Sequence, residues 1–136
     1  MESPFDRIGG AAAVASLVED FYRRIEADPE IRPVYPEDLG PGKAKFTLYL
    51  GEWLGGPPAY TDRYGHPRLR RRHFPFVIEA KHAGIWLKHM REAVQSAEIP
   101  REIEEMMFER LGPLAQHMVN ATEDVPREPL GEARLT

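Results

Sequence analysis

The sequence predicts an all-α domain, and three observations carry that prediction. Apolar residues recur at helical spacing in four segments. No segment shows the period-2 alternation of a strand. The 13 prolines and 11 glycines gather mostly at the joints between segments, where they break regular structure.

The first helix opens at Gly9-Gly10, and Val14, Leu17, Val18, Phe21 and Ile25 form one apolar face, the amphipathic helical pattern. Asp28-Pro29 ends it, because the residue before a proline is pushed out of the helical region. Pro29, Pro33, Pro36 and Pro41 mark a connector with room for a short helical turn. A second helix is predicted from Gly42 to Leu54, with Phe46, Tyr49, Leu50 and Trp53 on one face. Gly55-Gly56-Pro57-Pro58 stops it.

A basic stretch follows, with Arg63, Arg68, Arg70, Arg71 and Arg72 beside His66 and His73. The third helix is predicted from about Phe76 to Ala97, with Trp86, Met90, Ala93, Val94 and Ala97 in its stripe. Pro100 suits the first turn of a fourth, whose stripe is Ile103, Met106, Met107, Leu111, Leu114 and Met118. Gly112-Pro113 is expected to kink or interrupt it, since proline removes a donor and clashes with the preceding turn. Residues 1–121 are read as the folded domain. Residues 122–136, rich in Pro and Glu, are read as a poorly ordered polar tail.

Composition excludes several functions. With 136 residues, 42% of them hydrophobic, the chain can bury one core. Its 18 Lys+Arg against 22 Asp+Glu give a net charge of -4, which argues against nucleic acid as a partner. No stretch approaches the ~18 apolar residues of a membrane span, and no signal peptide opens the chain, so a cytoplasmic location is expected. With 0 Cys there is no disulfide, thiolate metal site or cysteine nucleophile. The hydrolase, metalloprotease, P-loop and dinucleotide-binding motifs are also absent.

The chemistry therefore rests on constellations. His66-Pro67-Arg68-Leu69-Arg70-Arg71-Arg72-His73-Phe74-Pro75 is the densest. One reading is a solvated basic loop. The other is an imidazole ligand beside cations that neutralise an anion. Haem needs both, an axial imidazole on iron and positive groups near its propionates. Tyr22, Tyr35 and Trp86 are polar aromatics next to apolar stripes, and each reads equally as a core residue with its polar tip satisfied locally. His82 and His89 could share a helix face, but without a carboxylate motif they make a poor metal site. His117 suits a helix C-terminus.

The residues also resemble a known family. Ile8-Gly9-Gly10, Phe21-Tyr22, Val34-Tyr35-Pro36-Glu37-Asp38-Leu39, Gly55-Gly56-Pro57 and Tyr60 match it. So do Gly65-His66-Pro67-Arg68-Leu69-Arg70, Arg72-His73-Phe74-Pro75-Phe76, Trp86-Leu87 and Met118-Val119-Asn120. Together they resemble the truncated haemoglobins of the second group, short globins with a two-over-two helical sandwich around a haem. The resemblance implies non-covalent haem b, with His73 as proximal iron ligand on a penta-coordinate iron. Tyr22, Tyr35 and Trp86 would form the distal polar set. Gly42 would stand where many globins place a distal histidine, with Phe46 lining the pocket one turn on. Arg72 would be the main propionate partner, with Lys45, Tyr60 and His66 as further candidates. The chain departs from the family at Gly42-Lys43-Ala44-Lys45-Phe46, where a more charged stretch is usual.

This resemblance implies binding of O2 and other diatomic or anionic ligands. Two polar donors would slow ligand loss, which favours redox chemistry on nitric oxide or peroxide over bulk oxygen delivery. Such turnover would need a reductase as partner. A non-catalytic oxygen carrier or sensor remains open, as does a cofactor-free helical interaction module. Exposed apolar residues on the third and fourth helices would be compatible with a homodimer.

Overall fold

Ser3 begins the folded chain by capping the first helix. Its side chain accepts from the Asp6 N–H, and Pro4 occupies the first turn, where no N–H is needed. This short helix, α1 (Pro4–Ile8), ends at Gly9, whose φ of 120° suits glycine alone. A computed structural model describes residues 2–65 and 79–119. All regular structure among those residues is helical. The expected tail at 122–136 and the basic stretch from His66 to Pro75 lie outside them.

Helix α2 (Gly10–Glu26) buries the whole predicted face of Val14, Leu17, Val18, Phe21 and Ile25, and Tyr22 with it. Asp28 closes the turn beyond. Its Oδ1 accepts the Glu30 N–H at 2.9 Å, and its carbonyl accepts the Arg32 N–H at 2.9 Å. The connector then makes one 3-10 turn, Arg32–Val34. Arg32 reaches forward and donates to the carbonyls of Pro36 at 3.0 Å and Glu37 at 2.9 Å. A proline-rich connector offers few backbone donors of its own, and this guanidinium takes up carbonyls that would lack one.

Helix α3 (Gly40–Trp53) starts two residues before the expected Gly42. Asp38 accepts the Gly40 N–H at 3.0 Å, and Pro41 fits the first turn. Helix α4 (Ala59–Tyr64) was not expected. The Glu52 carboxylate holds it by accepting both the N–H and the hydroxyl of Thr61.

Helix α5 (Ala80–Ser96) opens at Ala80 rather than Phe76, because Glu79 is extended and acts as its cap. The Glu79 N–H donates to His82 Nδ1 at 3.0 Å, while the Glu79 side chain accepts in return, a reciprocal capping box. Ala83, Met90, Ala93 and Val94 are buried. Ala97 is exposed, a correction that follows from the helix ending at Ser96.

Helix α6 (Arg101–His117) runs through Pro113 without interruption. Both Pro113 and Glu109, the residue four back, are exposed. Water can therefore take the carbonyl that loses its helical donor. The expected break fails for that reason. Ile103, Met107 and Leu111 are fully buried, with Met106, Leu114 and Met118 half-buried against the core.

Helix α2 packs on both α3 and α5, and α5 packs on α6. Helix α2 thus joins the α2–α3 pair to the α5–α6 pair. Arg24 ties α2 to α5 through Ser96 at 2.9 Å and Glu92 at 3.6 Å. No described helix is long and apolar enough to cross a membrane.

Residues Gly55 and Gly56 let α1 tuck under α3. The Phe5 N–H donates to the Leu54 carbonyl at 2.9 Å. A Cβ on Gly56 would stand 2.7 Å from the Phe5 ring and 2.8 Å from the Gly51 carbonyl. A backbone carbonyl cannot step aside cheaply. Gly56→Ala is expected to cost about 1–3 kcal/mol of stability by overpacking. Chemical denaturation measures it, and an unchanged midpoint would refute the packing argument.

Candidate functional site

Every element from α2 to α6 except α4 contributes to one cavity. Together with its open mouth it spans about 860 Å³. Phe21 and Tyr22 come from α2, and Ile31, Val34 and Tyr35 from the connector. Phe46, Tyr49, Leu50 and Trp53 come from α3, and His82, Ala83 and Trp86 from α5. Leu111, Leu114 and Ala115 of α6, with Met118 just beyond its end, complete the wall.

Aromatic rings in edge contact shape the polar part of that wall. Phe21 lies 5.2 Å from Trp86 and 5.8 Å from Phe46, and Tyr22 lies 5.9 Å from Tyr35. These are edge-to-face and tilted spacings. Trp86 hydrogen-bonds the Tyr35 side chain. An indole can only donate, so Tyr35 accepts and keeps its own hydroxyl proton to offer elsewhere.

Burial sets the charge state of both phenols. Desolvation raises the Tyr22 pKa above the ordinary tyrosine value of 10.0. It raises Tyr35 well above that value, the Tyr22 neighbour adds to the rise, and the Trp86 hydrogen bond partly offsets it. The ionised form is disfavoured in each case. Both therefore stay neutral hydrogen-bond donors across the physiological range.

Of the residues singled out from the sequence, Tyr22, Tyr35, Trp86 and Phe46 meet in this cavity. Gly42 is buried in the first turns of α3 and is not among the lining residues. Lys45 holds its ammonium 5.2 Å over the Tyr64 ring. Tyr60 is fully buried, its ring 5.6 Å from cavity-lining Tyr49, and its hydroxyl has no hydrogen-bond partner among the described residues. His73, Arg72 and His66 lie outside the described residues.

Sequence reasoning missed His82 as a lining residue. The structure separates it from His89, which points away to Asp28 at 2.7 Å. The Glu79-x-x-His82 spacing was the available signal, since a side chain that caps at the third helical position is held near the helix start. The α6 contribution was also missed. Leu111, Leu114 and Met118 looked like ordinary core, and only the packing of α6 turns them toward a cavity.

The donor set fits a haem. An apolar slot with hydrogen-bond donors along one stretch of wall suits a large flat macrocycle that binds a small polar ligand.

Comparison with known proteins agrees. Residues 3–120 match the bacterial-like globin family, and the chain belongs to that family. The group 2 truncated haemoglobin YjbI of Bacillus subtilis (strain 168) is 41% identical over 121 residues, covering 89% of this chain and 91% of that protein. The group II truncated haemoglobin of Bacillus anthracis superposes with a TM-score of 0.85 at 40% identity, covering 92% of this chain and 98% of that one. A truncated oxygen-avid haemoglobin from Bacillus subtilis superposes at 0.81 with 40% identity, covering 88% and 100%. Within its family the chain is a two-over-two truncated haemoglobin of the second group. The family's cofactor is non-covalent haem b with its iron.

The raised phenols make an alkaline prediction. Folding disfavours their ionisation, so their contribution is complete below the unfolded value of about 10. It is lost as pH rises from there through their raised native values. A Tyr22→Phe, Tyr35→Phe double variant should show a flatter loss of stability above about pH 10 than the wild type. Parallel curves in denaturant titrations would refute the burial of these hydroxyls.

Proposed function

We propose that the cavity holds haem b through His73 and presents Tyr22, Tyr35 and Trp86 to a small ligand, for redox chemistry on nitric oxide or peroxide rather than bulk oxygen delivery. The observation that carries this reading is the joining of three neutral donors in an otherwise apolar cavity. The haem iron supplies ligand binding and one-electron chemistry when it is bound.

The chain's own residues supply selectivity. Trp86 donates to Tyr35, which orients the Tyr35 hydroxyl and leaves its proton for a ligand. Tyr22 lies beside Tyr35 and stays protonated. A ligand that gathers negative charge meets donors that need no reorganisation. A hydrogen bond to a charged acceptor is worth about 1.5–3 kcal/mol. Each donor expressed in release would therefore slow it by roughly ten- to a hundred-fold, since ~1.4 kcal/mol is tenfold. Slow release suits turnover of the held ligand better than delivery. The description of a solved relative as oxygen-avid supports the same reading.

Propionate partners follow from charge. Arg72 and His66 belong to the basic stretch. Lys45 brings an ammonium, and Tyr60 brings a buried hydroxyl that lacks a partner among the described residues. A reductase would return the iron to its ferrous state between turnovers.

Two measurements test this. The visible spectrum of the purified protein, ferric and then reduced under carbon monoxide, should show a Soret band that shifts with carbon monoxide. His73→Ala should lose or badly alter it, and an unaltered band would remove His73 as ligand. Tyr22→Phe and Trp86→Phe should each speed oxygen dissociation by about ten-fold or more. Unchanged rates would sink the donor reading.

A further inference from the structure

Helix α5 grips the connector at two points, and only one of them is in the cavity. Inside, Trp86 and Tyr35 line the same cavity, and the indole lowers the phenol's pKa by hydrogen bonding to it. Outside, His89 meets Asp28, with Nε2 2.7 Å from Oδ2. Residues three apart share a helix face, so Trp86 and His89 form adjacent rungs between α5 and the segment from Asp28 to Tyr35. We infer that His89, through Asp28, is a positioning residue for the Tyr35–Trp86 pair.

The path between the rungs is short and tied along its length. The imidazole Nε2–H donates to one oxygen of Asp28. The other oxygen accepts the Glu30 N–H at 2.9 Å. The Asp28 carbonyl accepts the Arg32 N–H at 2.9 Å. From there the Arg32 guanidinium donates to the carbonyls of Pro36 and Glu37, just beyond Tyr35. Asp28 thus organises the start of the connector and Arg32 its end, with Tyr35 between them. A segment anchored at both ends has few conformations to choose from. Freeing one end lets the other wander.

The tie is a built one. The His89 side chain is only 12% exposed. Its Nδ1 is buried without a hydrogen-bond partner among the described residues, and a Glu92 carboxylate oxygen is 3.6 Å away. Leaving a buried ring nitrogen unsatisfied is costly, and the ring keeps this pose with its other nitrogen on Asp28. The Asp28 carboxyl is held below its usual range, chiefly by that hydrogen bond. His89 is not among the cavity-lining residues, and the described residues form no metal cluster.

This inference rests on the assignment of Tyr35 and Trp86 to the ligand wall, and its test separates the two. The protein has two tryptophans, so a proton–nitrogen correlation spectrum of the carbon monoxide-bound ferrous form carries two indole N–H signals. Tyr35→Phe identifies the one from Trp86. In His89→Leu that signal should move toward its Tyr35→Phe position, and oxygen dissociation should speed up by roughly three- to ten-fold. His89→Gln, whose amide N–H can still donate to Asp28, should keep both near wild type.

Should His89→Leu not fold, Asp28→Ser makes the same cut. It removes the carboxylate that His89 reaches, and serine can still accept the Glu30 N–H. A Trp86 signal unmoved in these variants would overturn the inference. A signal that moves while Tyr35→Phe and Trp86→Phe leave dissociation unchanged would uphold the positioning role and overturn the ligand-wall reading instead.

Discussion

The ring of Phe21 stands between α3 and α5, 5.8 Å from Phe46 and 5.2 Å from Trp86. It is fully buried, at a point where α2 packs on both other helices. Its bulk holds those helices at a spacing that leaves a slot along one side, and the next residue, Tyr22, lines that slot. Close-packed interiors transmit such a spacing rigidly. The cavity therefore depends on one aromatic ring acting as a spacer while its neighbour in sequence forms part of the wall.

A largely apolar cavity with Tyr22, Tyr35 and Trp86 in its wall is expensive unless such polar groups satisfy one another. Burying a hydroxyl without a partner costs roughly 1–3 kcal/mol. The Trp86–Tyr35 hydrogen bond removes part of that cost. It also imposes direction, because indole cannot accept. Neutrality follows from the same burial, which pushes both phenols upward. Structure and chemistry thus share one cause. The desolvation that makes the slot costly to build is what keeps its donors protonated.

The connector shows how an irregular segment can hold a functional side chain. It carries Pro29, Pro33 and Pro36, which limit its conformations before folding and so lower the entropy that ordering must overcome. Arg32 and Asp28 then supply hydrogen bonds that a proline-rich backbone cannot make for itself. Only then does His89 fasten the segment to α5. Each device is ordinary. Together they place Tyr35 against Trp86 with no regular helix beneath it.

Much of this was legible in the sequence. The helical class, the buried face of α2 and the joints came from spacing and from proline and glycine, because those signals are local. Tyr22, Tyr35 and Trp86 were recognisable through family resemblance. Residues Ser3-Pro4 and Glu79-x-x-His82 were readable caps that went unread, and so α1 and the true start of α5 were missed. What only the tertiary structure decided is how distant surfaces meet. Pro113 sits inside a helix because its face is solvated. Residues Leu111, Leu114 and Met118 line a cavity rather than close a core. His82 and His89, alike on one helix, part company because one faces the cavity and the other Asp28. Periodicity states which side of a helix is buried. The crossing of helices, set by side-chain bulk at their contacts, decides what that side is buried against.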